Sequence, residues 1–415
     1  MAFDNIYIIG VGMTPFGRHL DQSLKQLVAA AVSEALHDAQ LDRSTIEEIH
    51  FGNCVQGYME GQHMIRGHAI FLEQGFQGIP VFNLESGCAS GSMAFHNAVR
   101  GLLAGQADIA MAVGAEKMVS TDKEKMFNAF TSAWDIERAD WQMEQIAAMG
   151  AGMKIPAGST SAKPYSPFMD VYKGEFLVHA RRYGVTQQQV AAICAKNHRH
   201  SVHNPKAQFR VPYDIEQVLA APPITYPLTL PMCAPISDGA AAIILCNSNG
   251  LAKFKQTQAR AVRVLSSITR SGIERDPNDE LRHIVRRAAD ALYDHAGIGP
   301  QDVDVVELHD ATAVGELLEV EALGLCAAGD GGILALSGAT SIGGRIPVNT
   351  SGGLESRGHP IAATGIAQLY DLTQQLRGEA GARQVDNARI ALQCNVGGFW
   401  GVEEASAHVA LLAKK

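Results

Sequence analysis

The chain has 415 residues, 47% hydrophobic and 19% charged, with a formal net charge of -9. That length can bury the core of two domains or of one large double domain. The acidic balance, with no basic run, argues against a nucleic-acid partner, and no apolar run approaches the ~20 residues of a membrane span. Ile6 to Gly10 reads as a buried strand. The glycines from Gly10 to Gly17 only faintly resemble a dinucleotide fingerprint, because Pro15 disturbs the turn and no helix starts at the glycines. They are expected to form a glycine-rich loop after an edge strand. Leu24, Leu27, Val28, Ala31, Val32 and Ala35 then mark one face of an amphipathic helix. A strand follows at Ile46 to Phe51, a helix at 62–75, a strand at Pro80 to Phe82 and another at Ile109 to Val113. Strands alternating with helices predict a mostly parallel α/β sheet.

Between Phe82 and the next helix lies Asn83-Leu-Glu-Ser-Gly-Cys-Ala-Ser-Gly-Ser92. Cys88 thus sits on a small-residue turn at a helix N-terminus, where N–H groups and the helix dipole favour a thiolate. Taken singly, such a cysteine reads as a buried small hydrophobe. Its function depends on what the rest of the chain brings to it.

Residues 117–185 break the periodicity and are rich in Met and aromatic side chains, among them Met126, Phe127, Phe130, Trp134 and Met149. This inserted loop domain is expected either to line a binding site or to pack on itself. Thr186 to Gln189 has the form of a capping box. His198, His200 and His203, near the end of the helix it opens, read as surface histidines, since i and i+2 do not share a helix face. Asp238 to Cys246 is a turn entering a buried strand.

A polar stretch near residue 250 separates two halves, 1–250 and 251–415, and the second repeats the first. Ala261 to Leu265 corresponds to the first strand, His283 to His295 to the first helix, and Val303 to Leu308 to Ile46–Phe51. A helix at Glu316 to Leu323, a longer one from Gly352 to Leu376 and a strand at Ala388 to Leu392 complete it. Such duplication predicts two stacked α/β halves about a pseudo-twofold. Three polar, glycine-rich loops follow strands of the second half: Glu307 to Thr312, Asn349 to Gly365, and Gln393 to Gly398. Functional groups in open α/β sheets gather at strand carboxyl ends. The duplication should therefore bring His309, His359 and Cys394 against Cys88.

The motif order resembles that of the thiolase superfamily: a nucleophilic Cys88-Ala-Ser, then Gly358-His359-Pro360 with Asn349, Gly352, Gly353 and Gly365, then a cysteine–glycine loop at Cys394. His309-Asp310, Lys196 to Ser201, Pro227 to Pro231 and Ser237 to Ala241 resemble the branch of sterol-carrier-protein-type thiolases, without their fused lipid-carrier domain. The resemblance implies a layered αβαβα fold and acyl transfer to and from coenzyme A, a substrate rather than a bound cofactor, with no metal. It implies that His359 activates Cys88, that His309 helps hold an enolate, and that the N–H groups of Cys88 and Gly397 hold the oxyanion. Ala311 stands where that branch has a cysteine acid/base. Cys394 is expected to take the role, unless a one-residue register difference puts Asn395 there. A homodimer or dimer of dimers is implied, as is a possible small zinc-ribbon/OB-fold partner subunit. A ketosynthase-type condensing enzyme and, more remotely, a Cys/His hydrolase are the rival readings. Residues contacting CoA have no motif to name them. The scattered seven cysteines without a C-x-x-C pair, and Met1 to Asn5 without signal-peptide character, point to a reducing cytoplasm.

Overall fold

The computed structural model describes residues 5–415; the reading of Met1 to Asp4 as leader-free lies outside them. The strands are β1 (Ile6–Met13), β2 (Glu48–Gly52), β3 (Val81–Leu84), β4 (Ile109–Glu116), β5 (Pro223–Thr225), β6 (Leu228–Thr229), β7 (Gly239–Asn247), β8 (Val262–Ser271), β9 (Val305–Glu307), β10 (Ile390–Trp400) and β11 (Glu403–Lys414). β5 and β6 form a small hairpin, and the other nine make one mixed sheet in the order β3-β2-β4-β7-β1-β8-β11-β10-β9.

This order is two mirrored arms. In each, the outer strands pair in parallel (β3·β2·β4 and β9·β10) and the inner ones antiparallel (β4·β7·β1 and β10·β11·β8). Among the described residues the strands of the two arms pair only at β1 and β8, through Tyr7 opposite Arg263 and Ile8 opposite Val262. So narrow a seam lets the two arms stack face to face.

Strand alternation then sorts side chains into layers. Ile109, Met111 and Val113 pack outward against the Leu24–Ala39 helix. Ala110 and Ala112 turn inward, onto the helices Ser90–Leu103 and Thr364–Arg377. In the other arm Ala410 and Leu412 face the same central helices, while Val409 and Leu411 face the outer helix Ile284–Ala296. The result is the expected αβαβα stack, with one central helix from each half. The helices Ala139–Met149, Phe168–Tyr183 and Gln187–Ser201 form a further apolar cluster beside it.

Some expectations are corrected. Gly10 and Gly12 do not follow an edge strand; they lie inside β1, the middle strand of the sheet. A Cβ at Gly12 would come within 2.2 Å of Ala31 O, so the glycine lets the first helix lie directly on the strand. The segment 62–75 is helical only at Arg66–Phe71. The long helix from Gly352 is broken into Gly353–Arg357 and Thr364–Arg377. Gly358, at φ 108, ends the first piece and Pro360 follows it. That break is what presents His359. His198 and His200 are buried, and only His203 is exposed. The Gln187–Ser201 helix is covered on almost every face, and His200 uses both ring nitrogens, one on Asn349 O and one on the N–H of Ile342, to brace the His359 loop.

Candidate active site

Cys88 follows β3 and precedes the Ser90–Leu103 helix. A Cβ at Gly397 would lie 2.8 Å from the Cys88 nitrogen and 2.4 Å from Ser86 O, so only glycine lets β10 press its backbone against the nucleophile turn. The hydroxyl of Ser86 is 2.8 Å from that of Ser406 on β11, a second tie between the halves.

Donor atoms of Cys88, His309 and His359 all lie within 4.8 Å of one another. The two imidazoles meet edge to face, 5.1 Å between centroids. They form the floor of a cavity of about 340 Å³ walled by Phe127, Phe130, Phe168, Tyr172 and Phe399. Phe127 and Phe130 come from the insertion, as expected for a lining. Met118 and Met126 are instead buried nearby, and Met149 lines a different cavity.

Hydrogen bonds fix the protons. Thr364 Oγ1 can donate to Pro360 O at 3.3 Å and lies 2.6 Å from His359 Nδ1. Nδ1 therefore carries the proton toward Thr364, and Nε2 is left as an acceptor. His309 is the reverse. Asn395 Nδ2 donates to its Nδ1 at 2.9 Å, so Nε2 carries the hydrogen. Asn395 is itself oriented, because its Oδ1 accepts from Ser92 Oγ at 2.7 Å and Ser92 accepts from Gln393 Nε2. Burial pushes His309 down to about 3 and His359 well below its ordinary value, so both are neutral at physiological pH. The site thus offers one ring acceptor and one ring donor beside a thiol.

Burial, with the Glu116 charge adding to it, pushes the Cys88 thiol up to about 12. Against the expectation that the helix end holds a thiolate, enclosure outweighs it and Cys88 rests as a thiol. A Cys/His/His donor set is also what a metal could use. The Asn395 bond turns the His309 Nε2 hydrogen inward beside the thiol, which suits the set to proton transfer. The other such group, Cys194, His198 and Glu355, is structural at its histidine, whose two nitrogens already meet Pro231 O and Ser356 Oγ.

Cys394 does not join Cys88. It is fully buried in the outer core with Leu308, Val306 and Leu411, and the nearby Glu319 carboxylate raises its thiol further. The reason is the period of two along β10: if Gly397 faces Cys88, Asn395 shares that face and Cys394 must point away. Asp310, next to His309, accepts from the N–H of Leu354 at 2.8 Å and from Asn197 at 3.1 Å, pinning the loop that leads to His359. Arg357 in that loop is wholly buried, 2.8 Å from Asp371. No motif marks Thr364, Asn395 and Ser92 as a supporting set; alternation along β10 is the signal that favours Asn395 over Cys394.

The profile described as "Thiolase, N-terminal domain" matches residues 6–218, and "Thiolase C-terminal domain-like" matches 268–413. The chain is 36% identical over 403 residues to "Sterol carrier protein 2" of Homo sapiens, covering 94% of this chain and 70% of that protein. It is 35% identical over 412 residues to "Acetyl-CoA acetyltransferase" of Methanothermobacter thermautotrophicus, covering 98% and 99%. It is also 35% identical over 403 residues to "Benzoylsuccinyl-CoA thiolase subunit BbsB" of Thauera aromatica, covering 95% and 94%. In fold it resembles an "Ltp2-ChsH2(DUF35) aldolase" (TM-score 0.76, 19% identity, 99% and 98% covered) and human mitochondrial 3-ketoacyl-CoA thiolase in complex with CoA (0.72, 15%, 100% and 99%). With both halves matched in order and a nucleophile turn, two histidine loops and a cavity in register with them, the chain belongs to the thiolase family.

Proposed function

We propose that this chain is an acyl-CoA C-acyltransferase that cleaves a 3-oxoacyl-CoA with CoA, or runs the reverse Claisen condensation, through an acyl-enzyme on Cys88. The observation that carries this reading is the cluster of Cys88, His309 and His359 within 4.8 Å, with an acceptor and a donor nitrogen fixed by Thr364 and Asn395. His359 Nε2 takes the thiol proton as Cys88 attacks the 3-keto carbon. The bond between C2 and C3 breaks, and its electron pair passes into the thioester enolate. His309 Nε2–H meets the enolate oxygen, while the backbone N–H groups of Cys88 and Gly397 meet the tetrahedral oxyanion; one such donor is typically worth about 3–4 kcal/mol in the transition state. CoA thiolate then displaces the acyl group from Cys88, so CoA is a substrate and no resident cofactor enters the scheme.

The six phenylalanine and tyrosine side chains of the cavity support a bulky, aromatic or branched acyl group. The likeness to a protein named benzoylsuccinyl-CoA thiolase subunit agrees with that. The word "subunit" there and the two-component title of the aldolase support the partner reading, in which full turnover needs a small second protein. A homodimer is supported by β3: among the described residues it pairs only with β2, leaving its outer edge open, and Phe82 on it is 43% exposed. We take the halves as 1–250 and 251–415, with an insertion at 117–185, a division supported by the chain passing from one arm of the sheet to the other between β7 and β8. No helix among the described residues is long and apolar enough to cross a membrane, and seven free cysteines suit a reducing cytoplasm.

Thiolysis of a panel of 3-oxoacyl-CoAs by free CoA, assayed with the purified chain, tests the reading. CoA-dependent cleavage supports it. Decarboxylative condensation without thiolysis would establish the ketosynthase alternative instead.

A further inference from the structure

The scheme above leaves one proton unassigned. When the bond between C2 and C3 breaks, C2 of the enolate must be protonated, and in the condensation direction it must be deprotonated. His359 is occupied with the thiol and His309 with the enolate oxygen. Asn395 and Ala311, on the neighbouring walls, carry no transferable proton. The remaining titratable side chains of the cavity are Tyr165, Tyr172, Cys233 and Glu404.

Three of these are poorly placed. The hydroxyl of Tyr165 is engaged by the Asp170 carboxylate at 3.2 Å. Tyr172 is buried beside carboxylates that hold its hydroxyl protonated. The Cys233 thiol lies 3.6 Å from Thr229 O, and burial raises it. Glu404 differs. It stands on β11 opposite Phe399, one of the cavity walls, is 6% exposed, and its Oε2 has no hydrogen-bond partner among the described residues. His283 Nε2, at 3.6 Å, is beyond bonding distance. The adjacent Glu403 takes the nearby cations, Arg275 at 2.6 Å and Arg287 at 3.5 Å. Glu404 is therefore a buried carboxyl with no cation of its own, beside Glu175 and Glu403. It is held at about 7 by burial, in the range where one group can both give and take a proton.

We propose that Glu404 is the second acid/base of the reaction, a role that rests on the acyl-enzyme reading above. In cleavage, the Glu404 carboxylic acid gives its proton to C2 of the enolate and becomes a carboxylate, and the shortened acyl-CoA leaves. The incoming CoA thiol returns a proton to that carboxylate, and its thiolate attacks acyl-Cys88. In condensation the carboxylate removes the C2 proton instead.

The test separates the two half-reactions in the full-length chain. Acylation of Cys88 is read by intact mass with benzoyl-CoA, which has no C2 hydrogen. Acid/base work is read as deuterium entering C2 of acetyl-, propionyl- and succinyl-CoA in D2O. Glu404→Gln is expected to acylate within about threefold of the native protein and to lose exchange by about 100-fold or more. Glu404→Asp is expected to recover part of it. Exchange by Glu404→Gln within about tenfold of native overturns the assignment, as does a loss of exchange confined to Cys233→Ser. Failure of the native protein to acylate at all overturns the acyl-enzyme reading, and this inference with it.

Discussion

Asn395 Nδ2 donates a 2.9 Å hydrogen bond to His309 Nδ1, and this bond decides which face of the imidazole carries its proton. Asn395→Asp replaces a donor by an acceptor. His309 would then protonate Nδ1 and turn a bare Nε2 to the enolate. Turnover is expected to fall by about 100- to 1,000-fold, the cost of one oxyanion donor, with KM little changed. Steady-state kinetics check this, and turnover within about threefold of native contradicts it.

His359 depends in the same way on Thr364. Thr364→Val keeps the shape and removes the acceptor of the Nδ1 proton, so the ring can present an N–H to Cys88 instead of a lone pair. Acylation of Cys88 is expected to slow by about 10- to 100-fold, as when an orienting partner is removed from a functional histidine. Single-turnover acylation read by mass is the measurement; an unchanged rate means Thr364 does not set the tautomer.

Cys394 packs in the outer core away from Cys88. Cys394→Ala is expected to leave turnover within about threefold of native. Lost packing should lower stability by about 1–2 kcal/mol. Denaturant unfolding and turnover, measured together, distinguish this from a catalytic role, which would reduce turnover without that stability loss.

The buried titrating groups give a pH dependence of definite sign. His200, His283 and His309 are held at about 3, so below pH 6.5 the unfolded chain binds protons that the folded chain refuses. Each then costs about 1.4 kcal/mol per pH unit as pH falls toward 3. Glu116 and Glu404 at about 7 and Glu307 at about 6 act oppositely, favouring the fold as pH drops from about 7 to the unfolded value of 4.5. The two sets offset each other between pH 7 and 4.5. Of these two sets only the histidines act below 4.5, and Asp38, which despite its burial is held below the usual carboxylate range by Arg377 and Arg260, adds to the loss there. Thermal unfolding should show a shallow decline in Tm to about pH 4.5 and a steep one beneath it. A Tm that holds steady from pH 4.5 to 3 contradicts these assignments.

Much of this was legible in the chain. Period-3.6 runs located the Leu24–Ala39 helix, the repeat of strands and helices indicated two halves, and the loops carrying Cys88, His309 and His359 do converge. The misreadings have specific physical causes. The His198 and His200 pattern was judged by its own helix, whereas burial comes from elements that cover the helix from elsewhere in the chain. Cys88 was judged by its helix end, whereas the surrounding protein, through desolvation, sets its proton. Cys394 was placed by residue type, although alternation from Gly397 already put it on the far face. Ser92 acts through hydrogen bonds to Asn395 and Gln393, distant in sequence, which no local pattern encodes; Thr364 is five residues from His359 and meets it only because the chain breaks its helix between them.

The central claim is that Cys88 carries the acyl group. Intact-mass and peptide mapping after incubation with an acyl-CoA tests it most directly. The account expects one acyl adduct per chain, on Cys88, discharged by free CoA and absent in Cys88→Ala. Full thiolysis by Cys88→Ala, or an adduct mapped to another cysteine that CoA discharges, would contradict it.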